Sequence, residues 1–350
     1  MAENVRAARP RRLLPLTVLV LGVAIASNCR CRESHDETTP AELTSPTAVA
    51  PSATAVPVGT TVTPSPTGAG VLYSWANPLS VVEIGLDFAD HTWVTSFDSP
   101  STCPPHPEYW YSWGSCHGTG GGTTARDLTR GSADLRVARC ICQPDVEDFH
   151  PTAGNLSHGG IDLYGIQGVC HQLANRILWA TSAGGAPPAT VDEAHGYGFS
   201  RFLYGTYGAN ANEWEARKAR CTASVAGPAP APTAAMIAAA SPIVLLDQDL
   251  AAMFQERLKG DYSRGALSQI VDLRHQLFAR KALLDRRVRG GDLPPRQYAD
   301  QVNELLNEYL PRVAEILGAA QYQRLFGQPP GRRVGVVDPE IAARSSYRPG

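Results

Sequence analysis

Over the C-terminal third of the chain, apolar positions recur every three or four residues. Leu267, Ile270, Val271, Leu277, Phe278 and Leu284 form one stripe, and Tyr298, Val302, Leu305, Leu306, Tyr309, Val313, Ile316 and Leu317 a second. This spacing turns one face of a helix toward a core. The intervening "RGGDLPP" carries the glycines and prolines of a turn. The pattern therefore predicts an antiparallel helical hairpin, preceded by a shorter helix over 245–258, with Pro311 kinking the last helix. The basic run "RHQLFARKALLDRRVR" has its charges between the stripe positions and near Asp272 and Asp285. It reads as a solvated face, not as a surface for nucleic acid or lipid.

Upstream, over 71–221, the pattern changes. Short runs such as "SVVEIGLDF" and "HTWVTSF" cluster or alternate like strands, in a stretch rich in Trp, Tyr, Gly, His and Cys. Within it "GIQGVCHQLANRIL" leads through two glycines into a helical face of Leu173, Ala174, Ile177 and Leu178. Two other stretches lack the apolar content to bury a core. Residues 37–70 are mostly Thr, Pro, Ala and Ser, and residues 222–242 are dominated by Ala and Pro. The N-terminus carries arginines at 6, 9, 11 and 12 and then an apolar run over 13–26, the anatomy of a secretory signal and short for a membrane span. Ala24 and Ala26 offer ordinary cleavage, while Cys29 offers a lipoprotein ending. The organisation expected is a signal over 1–28, a disordered tether over 29–70, an α+β domain over 71–221, a linker over 222–242, a helical hairpin module over 243–327 and a disordered tail over 328–350.

With 31 Lys and Arg against 33 Asp and Glu in 350 residues, the formal charge is -2. No global field draws the chain to nucleic acid, and its expected link to a membrane is a lipid anchor alone. Export makes the eight cysteines candidates for pairing. The bridges expected are Cys103 with Cys116, and either Cys140 or Cys142 with Cys221. Cys116, His117, Cys140 and Cys142 have poor zinc-ligand spacing, and "PDVEDFHPTAGNLSHGGID" holds no H-E-x-x-H pattern, so no metal and no cofactor is assigned. "HGTGGGTTARD" lacks the Lys-Ser/Thr ending of a phosphate loop and reads as a flexible loop. Trp110 and Trp113 fit either a binding groove or a core.

Cys170 is the candidate with a chemical setting. A thiol at a helix N-terminus meets unsatisfied backbone N–H groups, which favour a thiolate and later an oxyanion. Gly168 permits close approach of a substrate backbone, and Gln167 offers a side-chain donor to an oxyanion. The base must be one of nine histidines. His171, next to the cysteine, is turned away by about 100° on a helix and reads as a surface or supporting group.

"GVCHQLANRILWATSAGGAPPATV" resembles the cysteine helix of the transglutaminase-like peptidase families, and "DHTWVTSFD" resembles their histidine strand. The order is reversed here, as in circularly permuted relatives of the papain fold such as permuted NlpC-like hydrolases and the lecithin:retinol acyltransferase group. The glutamate that usually follows the His-x-Trp segment is absent. The resemblance covers about 87–191 and implies Cys170 as nucleophile and His91 as base, with Asp98 or His117 as the orienting group. His195 competes as base, because it follows Cys170 in the unpermuted order. The fold expected is α+β, a permuted papain-like domain with a small antiparallel sheet and a cysteine-bearing helix, followed by a helical hairpin module. The function expected is an exported periplasmic or cell-surface thiol hydrolase or acyltransferase. It would act on a peptide, amide or ester substrate, with cell-wall peptide the nearest for an anchored protein, and its helical module would meet a protein partner. The alternative is a disulfide-stapled envelope protein without catalysis.

Overall fold

The computed structural model describes residues 68–77, 87–96, 98, 125–138, 140–141, 164–181, 188–209, 211–226 and 242–344. All of them fall in one compact unit spanning Val58–Gly350. The fold is mixed α+β around a small three-stranded antiparallel sheet. Its central strand β1 (Ala69–Asn77) is flanked by β3 (His91–Thr95) and β4 (Arg126–Asp134). Aromatic and β-branched residues suit these strands to a pleated, packed surface. Between β1 and β3 the register sets Asn77 opposite His91, Trp75 opposite Trp93 and Tyr73 opposite Thr95. Every residue of β3 is buried, whereas β4 presents Arg126, Asp127 and Arg130 to solvent, a charged edge that discourages further strand pairing. A second, two-stranded sheet pairs β2 (Asp87–Phe88) in parallel with β5 (Val334–Gly335).

Helix α1 (Cys170–Thr181) is followed by α2 (Tyr197–Tyr204), α3 (Ala211–Ala226), α4 (Pro242–Leu258), α5 (Arg264–Arg289), α6 (Pro295–Leu317), α7 (Ala319–Phe326) and, after β5, α8 (Pro339–Arg344). The α5–α6 hairpin matches the two apolar stripes, and α6 continues through Pro311. Helix α5 starts at Ser263, whose side chain accepts from Ala266 N, an ordinary N-cap. The hairpin shares one apolar core with the cysteine helix: Leu273, Leu306 and Val313 belong to the same cluster as Leu173, Ile177, Leu72 and Val94. Not every charge of the basic run is solvated. Arg274 and Lys281 are buried. Arg274 donates to the carbonyls of Phe202 and Leu246 and stacks over Phe278; burial lowers its pKa to about 10.

The expected tail over 328–350 is instead structured through 344. Val334, Val336, Val337 and Ile341 are buried. Two asparagines one turn apart on α6 hold this segment. Asn303 accepts from Val336 N and Val337 N and donates to Val337 O, and Asn307 pairs with both backbone groups of Val334. The expected linker over 222–242 begins as the last turn of α3 and ends at the first residue of α4.

Cys140 and Cys221 form a disulfide with Cα atoms 5.6 Å apart, tying the chain just after β4 to α3. Of the two partners expected for Cys221, the structure selects Cys140. Cys103, Cys116 and Cys142 lie outside the described residues, as do the expected signal over 1–28 and all of the expected tether over 29–70 but its end, where Ala69 and Gly70 open β1. Among the described residues no helix is long and apolar enough to cross a membrane, and no cluster of His, Cys, Asp and Glu has the makings of a metal site.

Candidate active site

Helix α1 begins at Cys170 with half of a capping box. Val169 O accepts from Gln172 N and Leu173 N, while Gln172 Oε1 accepts from Val169 N, so the side chain at the third helical position satisfies an otherwise open donor. The helix is buried all round from Cys170 to Leu178. Its polar residues bond to the 188–209 segment instead of to water. Gln172 donates to Gly205 O, Asn175 to Thr206 O and Tyr197 Oη, and Arg176 to Tyr207 O. His171, expected at the surface or in support, is fully buried, with Nδ1 2.7 Å from Ser200 Oγ. Burial lowers its pKa to about 3.

The turn before the helix is held from outside on three carbonyls. Tyr204 Oη donates to Gly165 O, and Tyr298 Oη lies 2.7 Å from the same carbonyl and 2.8 Å from Asp285 Oδ1. Lys281 Nζ donates to Ile166 O at 3.1 Å and pairs with Asp285 at 2.9 Å. Ala209 N donates to Gln167 O. Gly165 has φ +79°, and a Cβ there would meet Val337 Cγ1 at 2.7 Å, so conformation and space both require glycine.

Strand β3 opens with His91, and the chain just before it is clasped. Asp90 N donates to His195 O, while Asp90 Oδ2 accepts from His195 N and from Arg126. Ala89 N donates to Gly335 O. The clasp delivers His91 Nδ1 to 2.9 Å from Cys170 Sγ. The imidazole also stacks on Trp93, with ring centroids 5.7 Å apart. Cys170 is the one free cysteine among the described residues. It is 3% exposed and His91 1%.

That burial reverses one expectation. The Cys170 thiol is pushed up to about 12, first by burial and then by the charge of Asp338, against the Thr92 N–H, the Tyr164 hydroxyl and the cysteine's own N–H. The helix N-terminus favours a thiolate, but burial and the Asp338 charge act the other way and prevail, while the sulfur stays in hydrogen-bond reach of His91 Nδ1.

The other expected site residues are distributed differently. Asp98 is 56% exposed and lies 3.6 Å from Arg130 at the surface. His117 lies outside the described residues. Gln167 sits in the pinned turn, three residues before the sulfur. His195 belongs to the Asp90 clasp, with Nε2 2.6 Å from Gln328 Nε2; the ring brought to the sulfur is that of His91.

Sequence reasoning missed two neighbours of the sulfur. Tyr164 is buried, its hydroxyl reaches Cys170, and it accepts from Asp338 N at 3.3 Å. Asp338 is 4% exposed, its Oδ1 accepts from Glu340 N and Ile341 N, and its charge acts on both Tyr164 and Cys170. The "DPE" at 338–340 carries the signature of an N-cap followed by proline at the first helical position. That signature reveals the cap but not the cysteine it lies beside. Two open clefts of about 870 and 800 Å³ are lined by neither Cys170 nor His91.

These parts compose a free thiol at a helix start, an imidazole in hydrogen-bond reach and a buried carboxylate acting on the sulfur. Comparison with known families, curated proteins and solved structures finds no match to the chain.

Proposed function

We propose that the protein is a thiol hydrolase or acyltransferase acting on amide or ester bonds through Cys170 and His91. The observation that carries this reading is the 2.9 Å approach of His91 Nδ1 to an unpaired Cys170 sulfur at the first position of α1. With burial favouring thiol over thiolate, attack and proton transfer are coupled. His91 Nδ1 takes the thiol proton as the S–C bond forms and the carbonyl electron pair moves onto oxygen. Collapse of that intermediate breaks the C–N or C–O bond, and the leaving group takes the proton from His91. Water, or an acceptor nucleophile deprotonated by the same imidazole, then releases the thioester. Asp338 supplies a buried carboxylate for this site, and its charge favours imidazolium as it disfavours thiolate. The permuted papain-like architecture and an exported, envelope-facing location go with this reading, with cell-wall peptide as the corresponding substrate.

A second reading, a disulfide-stapled envelope protein without catalysis, draws on the near-complete burial of Cys170 and the Cys140–Cys221 bridge. Incubating the full-length oxidised protein with the phenyl ester of a small acyl group, and following intact mass, separates the two. The enzyme reading expects one acyl group on Cys170, formed in wild type and lost in both Cys170→Ala and His91→Gln while their unfolding temperatures remain similar. Absence of acylation in folded wild type supports the non-catalytic reading.

A further inference from the structure

Asn77, the last residue of β1, stands directly opposite His91 in the β1–β3 register. Directly opposed residues of antiparallel strands carry their side chains on the same face, with Cβ atoms about 4.5–5.5 Å apart. Asn77 is only 9% exposed, and its Oδ1 has no hydrogen-bond partner among the described residues. Thr92, whose hydroxyl is also unpartnered, turns to the opposite face of the pleat. An orphaned buried acceptor is rare in a native fold. Here it flanks the imidazole that meets the sulfur.

Position gives the orphan a meaning within the thiol hydrolase or acyltransferase reading, on which this inference rests. When the tetrahedral intermediate collapses, the leaving atom must lie within reach of His91 to receive its proton. Asn77 borders that place. A carbonyl acceptor is complementary to a donor there, and the scissile group of an amide supplies an N–H where an ester supplies only oxygen lone pairs. We infer that Asn77 Oδ1 accepts the N–H of the scissile amide, which makes the substrate an amide and not an ester. As the C–N bond breaks, its electron pair stays on nitrogen, which takes the proton from His91. The free amine departs and the acyl group remains as a thioester on Cys170.

The test is single-turnover acylation of the full-length oxidised protein by the anilide, the N-methylanilide and the phenyl ester of one small acyl group, followed by intact mass. Wild type should react with the anilide and the ester, and at least about ten-fold more slowly with the N-methylanilide. Asn77→Leu should slow the anilide by a similar factor while leaving the ester within about two-fold. Asn77→Asp keeps an acceptor oxygen and should restore the anilide reaction. Asn77→Leu should also unfold at an unchanged or higher temperature, because it removes a buried orphan. An equal loss with anilide and ester, an unaffected anilide, or wild type that takes the ester but not the anilide overturns the role of Asn77 alone. Wild type that takes neither overturns the thiol hydrolase reading, and this inference with it.

Discussion

His171 carries the clearest pH signature of any single side chain. Its pKa falls from an ordinary 6.5 to about 3, chiefly through burial. Between those values the unfolded chain binds a proton that the folded chain refuses, so stability from this group is complete above about pH 6.5 and declines as pH falls toward 3. The decline is about 1.4 kcal/mol per pH unit. Urea unfolding between pH 6.5 and 4 should show wild type losing stability more steeply than His171→Gln, by up to one proton's worth of slope. Parallel acid limbs would contradict the assignment. At the same scale, the candidate dyad was legible because each half lies in a local pattern, glycine then cysteine then helix for Cys170 and His-x-Trp in an apolar run for His91. Asn77 and Asp338 carried no such pattern. One is an asparagine at a strand end, which only the register sets opposite His91, and the other caps a short helix, which only the fold brings to act on the sulfur.

Among the elements, the turn over 164–169 joins the sheet side of the fold to the hairpin. Lys281 and Tyr298 reach it from α5 and α6, and Asp285 ties the two together. Burial lowers the Lys281 pKa, and its pairing with Asp285 opposes that. Breaking a buried pair by removing one partner leaves the other charge uncompensated, at a cost of about 3 kcal/mol. Lys281→Met should therefore lower unfolding stability by about that amount, and Lys281→Met combined with Asp285→Asn should lose less than the sum of the two single changes. Strict additivity in denaturant titrations would show that the pair is not coupled. The apolar stripes of α5 and α6 announced the hairpin, because a 3.6-residue period survives any packing partner. The polar residues of α1 show the opposite case: Gln172, Asn175 and Arg176 fall off the apolar stripe, but backbone groups of 188–209 cover and satisfy them.

For the molecule as a whole, the Cys140–Cys221 bridge closes a sequence separation of 81 residues around the cysteine helix. Loop-closure entropy for such a span corresponds to as much as about 4.5 kcal/mol of stability. The paired Cys140→Ser, Cys221→Ser variant should unfold at distinctly lower denaturant concentration than the oxidised wild type, and reduced wild type should match the variant. Coincident curves for all three would mean that the bridge adds nothing to the folded unit. A different consequence follows from the segment over 334–344, which supplies β5 beside the chain leading to His91 and Asp338 beside Cys170. A growing polypeptide leaves the ribosome with its thiol and imidazole already made, before the carboxylate that acts on the sulfur. Order of synthesis thus leaves this neighbourhood to be completed by a late-made segment.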